Sequence, residues 1–228
     1  MKSNRKICAV IAAAGSGSRM GGVSKPNLSL LGKTLFEYVL SAFDASDADE
    51  IVVVCSEDNI DSLKGLANCK KPIKFTLGGS TRAQSVFKGV SAADADSEIF
   101  CVHDCARPFV TAEMINLSIE KAIEAGASCV CSPITDTVKF KTDSGDIITP
   151  DRSRMFAVQT PQCFRKDFYI HARENSEKTE DFTDETSLLE NCGFGVEYIK
   201  TTENNMKLTS KSDLPLAEAI MKFRSMDL

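Results

Sequence analysis

Residues 8–27 read CAVIAAAGSGSRMGGVSKPN, and the fold follows from this stretch. A short apolar run, Cys8 to Ala14, breaks into glycine and serine and then meets Arg19 and Lys25. Apolar runs of this length bounded by turn residues read as buried strands. A strand that opens into a glycine turn starts a βα unit. Glycines let backbone N–H groups approach an anion closely. Arg19 adds a fork of donors and Lys25 a compact charge. Two familiar phosphate loops are excluded. The dinucleotide fingerprint Gly-x-Gly-x-x-Gly is met by Gly15 and Gly17 but has Met20 in its third place, and the Gly-Lys-Ser/Thr end of a Walker A loop is absent. What remains is a strand, a Gly-Ser-Gly turn and two cations, which suits the triphosphate of a nucleotide or a solvated surface loop.

The alternation continues outward. KICAVIAA is the first strand and TLFEYVLSAFDAS has apolar residues at helical spacing. EIVVVCS is apolar on both faces, as in a fully buried strand. A charged helix is expected from about Glu57 to Ala67, then the strand IKFTL, then the helix STRAQSVFKGVSAA with Ser80 or Thr81 as N-cap. EIFCVH is strand four, AEMINLSIEKAIEAG a helix closed by Gly126, and ASCVCSPI strand five. From Pro133 to Phe164 the helical period is lost, and two alternating strands joined at TDSGD read as a hairpin arm. The end returns to helix (DETSLLENCG), strand (VEYIKTT) and helix (DLPLAEAIMKFR). The expectation is an α/β protein: a single Rossmann-like three-layer domain over residues 1–228, with a mostly parallel sheet and a protruding β-hairpin arm at 133–164. A bare hairpin is marginal in water, so the arm should pack on a second copy of the chain.

Composition narrows the function. The chain has 228 residues, 43% hydrophobic and 26% charged, enough for one sizeable core. Its net charge of −5 and its lack of a basic stripe argue against nucleic-acid binding. An anionic ligand would be held by local cations, since distant charges are screened beyond about 8 Å. The nine cysteines include no Cys-x-x-Cys pair, and there are only two histidines, His103 and His171. They read as buried thiols in a reducing cytoplasm rather than as a metal site. The apolar run in MKSNRKICAV is too short for a secretory signal, and no stretch approaches the 18 or so apolar residues of a membrane span.

Other loops gather polar groups where such sheets bind ligands, beyond the carboxyl ends of the strands. GGSTRAQSV opens a helix with Gly78, Gly79, hydroxyls and Arg82. VHDCARPFV ends strand four with Asp104 and Arg107. TDTVK holds Thr137, QTPQ ends the arm, and NNMKLT holds Lys207. Singly each has a structural explanation: Asp104 could cap a turn, and Lys207 could be a solvated strand residue. Together they mark one edge of the sheet.

These stretches resemble the 2-C-methyl-D-erythritol 4-phosphate cytidylyltransferases. AAAGSGSRMG, GGSTRAQSV, VHDCARPFV, SPITDTVK, QTPQCF, TDETSLLENCG and NNMKLTSKSDLPLAEAI occur in the family's order and cover nearly the whole chain. The first is shared by many nucleotidyltransferases; the combination with HDCARP and QTPQ is specific. Ribitol-5-phosphate cytidylyltransferases share nearly every motif and remain the alternative, ahead of a nucleotide-binding regulator that has lost catalysis. Two departures stand out. The family usually reads Pro-Lys-Gln where this chain has Ser24-Lys25-Pro26-Asn27, which aligns Lys25 with the family lysine and Ser24 with its proline. Asn204 replaces an acid before Asn205-Met206-Lys207.

The resemblance implies a GT-A-like Rossmann fold and cytidylyl transfer from CTP to a small polyol phosphate, with Mg2+ or another divalent cation. It implies that Arg19, Lys25 and Lys207 are catalytic and hold the triphosphate. Ala13, Ala14, Gly15, Gly17, Gly79, Arg82, Ser85 and Asp104 would bind the nucleotide, and Asp104 could touch metal held mainly by phosphate. Arg107, Thr137, Arg152 and Thr160 would bind the acceptor, the last two gripping its phosphate from a partner subunit's arm. It also implies a cytoplasmic homodimer.

Overall fold

A computed structural model describes residues 5–15, 24–177, 179–180 and 182–226. The first strand, β1 (Lys6–Ala12), takes its place because Cys8, Ala9, Val10 and Ile11 are apolar toward both faces and fully buried. A two-strand ribbon, β2 (Ser29–Leu30) and β3 (Lys33–Thr34), leads into α1 (Leu35–Asp44). Thr34 and Glu37 form a reciprocal capping box there, which fixes the helix start. Then follow β4 (Glu50–Cys55), α2 (Ile60–Leu66), β5 (Ile73–Leu77), α3 (Arg82–Ala92), β6 (Ser97–Asp104), α4 (Ala112–Ala125) and β7 (Ala127–Pro133). Thr81 is the N-cap of α3, accepting from Gln84 N–H. α4 stops at Gly126, whose φ of +97° L side chains rarely adopt.

The hairpin β8 (Phe140–Lys141) and β9 (Ile147–Ile148) comes next, then β10 (Phe156–Arg165), α5 (Lys166–Asn175), α6 (Glu185–Asn191), β11 (Glu197–Lys200) and α7 (Asp213–Met226). The central sheet has seven strands in the order β11-β7-β10-β6-β1-β4-β5. All its pairings are parallel except those of β10, which runs antiparallel between β6 and β7.

Strand parity sorts the core into two layers. Ile7, Ala9, Ile11, Ile51 and Val53 face α1, α2 and α4, with Phe36, Phe43, Leu63 and Ile115 packed on them. Cys8, Val10, Val52, Val54, Phe100 and Val102 face α3, α5 and α6. Each buried Val, Ile, Leu or Phe side chain among them contributes about 1.5–3 kcal/mol. A smaller cluster of Leu30, Leu35, Phe109, Leu208 and Ala217 seats α7 against the ribbon.

Three expectations change. The arm is shorter than 133–164, because residues 156–164 lie in the central sheet. The free hairpin is β8–β9, turning through Gly145 at φ +91°. α5 has no counterpart in the sequence reading. α2 begins at Ile60 rather than near Glu57, because residues 56–59 form a turn closed by Ile60 N–H on Ser56 O at 3.1 Å.

Candidate active site

The carboxyl ends of β1 and β6 open into a cleft of about 520 Å³. Its walls are Ala12–Gly15 after β1, Lys25 and Pro26, Gly79–Arg82 with Ser85 at the head of α3, Asp104–Ala106 after β6, and Lys207. Gly79 must be glycine for packing reasons: a Cβ there would lie 2.4 Å from Gln84 Cβ. The Ser85 hydroxyl donates to Thr81 O at 2.8 Å and accepts from Gly79 N–H at 3.0 Å, which ties this loop to its helix.

A chain of alternating charges crosses the cleft floor. Lys207 Nζ donates to Asp104 Oδ2 at 2.6 Å, and Arg82 Nε donates to Asp104 Oδ1 at 3.2 Å. Arg82 Nη1 also donates to both oxygens of Glu185 at 2.9 Å. Glu185 is buried at the start of α6, and its own N–H donates to Gln162 Oε1 at 3.1 Å. Burial pushes the Asp104 carboxyl up, but Arg82 and Lys207 outweigh it and hold the group well below the usual carboxylate range. Burial raises Glu185 by more than Arg82 draws it down.

His103 lies behind Asp104 and is fully buried. Its Nε2 is 3.0 Å from Arg107 O, so that nitrogen carries the proton and donates. Nδ1 then accepts from the Thr160 hydroxyl at 3.0 Å, and Thr160 Oγ1 accepts from Asp104 N–H at 3.1 Å. Burial lowers His103 to about 4, so the ring is neutral. The register of β10 on β7 breaks between Val158 and Gln162, which lets Thr160 leave the ladder and reach Asp104.

The chain matches the family model for 2-C-methyl-D-erythritol 4-phosphate cytidylyltransferase (IspD) over residues 7–223. The chain belongs to this family. A cytidylyltransferase of this name from Clostridium botulinum is 38% identical over 224 residues, 95% of this chain and 98% of the relative. One from Caldanaerobacter subterraneus is 37% identical over 225 residues, again 95% of this chain and 99% of the relative. Among solved structures, the 4-diphosphocytidyl-2C-methyl-D-erythritol synthase of Anaerococcus prevotii aligns with a TM-score of 0.86 at 29% identity, over 96% of this chain and 100% of that one. The enzyme of Thermus thermophilus aligns at 0.76 and 29% identity, over 95% and 99%. Family membership makes the chain a nucleotidyltransferase.

Against this cytidylyltransferase frame, Ala13, Ala14, Gly15, Lys25, Gly79, Arg82, Ser85, Asp104 and Lys207 meet in one cleft. Gly17 and Arg19 lie outside the described residues. Arg82 is held by two carboxylates, Asp104 and Glu185. Two of the acceptor candidates do not line this cleft. Thr160 is 3% exposed, and its hydroxyl is engaged by Asp104 N–H and His103 Nδ1. Arg107 does not line the cleft; its Nη1 donates to Asn205 O at 2.9 Å and steadies the segment that carries Lys207. Thr137 and Arg152 are exposed beside the hairpin and do not line this chain's cleft, and Arg152 Nη1 donates to Thr135 O at 2.7 Å.

Sequence reasoning missed four buried residues, Asn59, His103, Glu185 and Asn205. Asn205 Nδ2 donates to Thr160 O at 2.7 Å and Gln159 Oε1 at 3.1 Å, docking the Lys207 segment on β10. Glu185 had a signal in the quoted TDETS, where an acid opens a helix. Asn59 had none.

Proposed function

We propose that this chain transfers the cytidylyl group of CTP to 2-C-methyl-D-erythritol 4-phosphate, forming 4-diphosphocytidyl-2-C-methyl-D-erythritol and releasing pyrophosphate. The observation that carries the reading is the meeting of Lys25 and Lys207, 182 residues apart in sequence (207 minus 25), in one cleft of a chain of this family. The acceptor phosphate is largely a dianion at neutral pH, its second pKa being about 6. One of its oxygens attacks the α-phosphorus of CTP, the bond from that phosphorus to the bridging oxygen breaks, and pyrophosphate leaves with the electron pair. No side chain need remove a proton. The cleft is suited to this. His103 is behind it with both ring nitrogens engaged, and burial pushes the Cys105 thiol far up, so it stays neutral. Lys25 and Lys207 draw two anions together and stabilise charge on the equatorial oxygens, which is electrostatic preorganisation. Asp104 fixes Lys207 and faces the nucleotide.

Among the described residues no group of three or more His, Cys, Asp or Glu is arranged for a metal ion. Asp104 is the single carboxylate among the described residues of the cleft wall, and Arg82 and Lys207 already occupy it. That donor set fits Mg2+ held mainly by phosphate oxygens with at most one protein ligand. Bound there, the ion would neutralise phosphate charge.

The exposed β8–β9 hairpin supports a homodimer in which Thr137 and Arg152 serve the partner's cleft. The nine cysteines are free thiols, seven of them buried, in keeping with a reducing cytoplasm. Pyrophosphate release measured across CTP, UTP and several polyol phosphates tests the assignment. Turnover should require CTP with the methylerythritol phosphate; preference for ribitol 5-phosphate would move the chain to the sister activity, and CTP binding without turnover would make it a regulator.

A further inference from the structure

Asn59 stands at the head of α2 and is fully buried, yet its side chain does not cap the helix. Asparagine at an N-cap normally turns onto the first amides of its own helix. Here Oδ1 accepts from Ser56 N–H at 2.9 Å, and Nδ2 donates to Ala13 O at 2.9 Å and to Ser24 Oγ at 3.0 Å. Ala13 lies on the incoming side of the loop that follows β1. Ser24 lies on its outgoing side, next to Lys25. One amide therefore ties both ends of the loop. Ser62, one turn along α2, adds a second grip: its hydroxyl accepts from Asn27 Nδ2 at 2.9 Å and donates to Asn59 O at 2.8 Å. Lys25 and Pro26 sit between the two grips. Ser24 has φ −59° and ψ 119°, close to the φ that a proline ring would impose covalently.

We propose that Asn59 and Ser24 form a positioning clamp. It sets Lys25 opposite the Ala13–Gly15 backbone before the nucleotide arrives, doing with hydrogen bonds what a proline at position 24 would do with its ring. Neither residue touches the reacting atoms. A loop that had to be ordered by its ligand would bind in proportion to the fraction already competent, so the clamp acts on CTP affinity first. The inference rests on the CTP-dependent reading above.

CTP affinity by calorimetry, with kcat and KM by pyrophosphate release, tests it on four variants. Ser24→Ala removes one neutral hydrogen bond and should weaken CTP binding about five- to tenfold, with the acceptor KM unchanged. Ser24→Pro should keep CTP affinity near wild type, because the ring restores the φ. Asn59→Ala should lose more than Ser24→Ala, and Ser24→Ala should then add nothing in that background, the mark of a coupled pair. Unchanged CTP affinity in Ser24→Ala, or additive losses in the double variant, would overturn the clamp. If Asn59→Ala does not fold, the position-24 variants decide alone, and alanine matching proline would count against it. A wild-type protein that binds CTP but releases no pyrophosphate would sink the reaction, while the CTP affinities of the same variants would still judge the clamp.

Discussion

Asp104 and Glu185 show what single residues do here. Between them they balance the charges of Arg82 and Lys207: Asp104 is shared by both cations, and Glu185 holds the far end of Arg82. Lys25→Ala should cut turnover by about 100- to 1000-fold. Circular dichroism should be unchanged, because Lys25 belongs to no core cluster. Glu185→Gln acts differently, since it removes a counter-charge from a buried pair. Breaking such a pair costs about 3 kcal/mol or more, so urea unfolding should show that loss with the slope unchanged. His103 adds a pH dependence. Its ring is neutral in the fold down to about 4, whereas an unfolded histidine protonates near 6.5. Between those values the unfolded chain holds the extra proton, so stability is full above about pH 6.5 and falls as pH drops toward 4. The loss is about 3 kcal/mol at most, from 1.36 kcal/mol per unit. His103→Gln should flatten that part of the stability profile.

At the scale of elements, local pattern reveals the strands and helices and hides one pairing. β1, β4, β6 and β7 are apolar on both faces, and that signal is enough to place them in a covered parallel sheet. The caps at Thr34, Thr81 and Gly126 follow from residue type alone. β10 is different. Its alternation says strand, but nothing local says that it inserts between β6 and β7, which are joined through α4. The same gap explains the site. Residues on the cleft wall, such as Lys25 and Asp104, stand out beside glycines and strand ends. Asn59 and Asn205 work through partners 46 and 45 residues away, and a single sequence does not display those partners. The hairpin leaves three large apolar side chains uncovered: Phe140 is 56% exposed, Ile147 61% and Ile148 48%. Phe140→Asp should therefore leave the melting temperature close to that of wild type measured at high dilution. The same variant should shift the species seen by analytical ultracentrifugation from dimer to monomer; a monomeric wild type would remove the arm's proposed role.

For the whole molecule, the position of Arg152 outside its own cleft's lining becomes a question about assembly. Arg152 and Thr137, proposed to bind the acceptor, do not line the cleft that holds Lys25 and Lys207. A two-fold dimer answers it, because an isologous interface gives each cleft the other subunit's arm. The arithmetic is then fixed. In such a dimer Lys25→Ala and Arg152→Ala should each be inactive alone, since every site in either homodimer would lack one of the two groups. In a heterodimer with crossed arms, one cleft lacks both groups and the other has both. Random reassortment of equal amounts makes about half the dimers mixed, each with one intact site of two, so activity should return to about a quarter of wild type. If instead each chain completes its own cleft, every site still lacks a group and the mixture stays as inactive as its parts. Reassortment can be verified with differently tagged chains recovered together, so that silence in the assay reports on geometry and not on failure to mix.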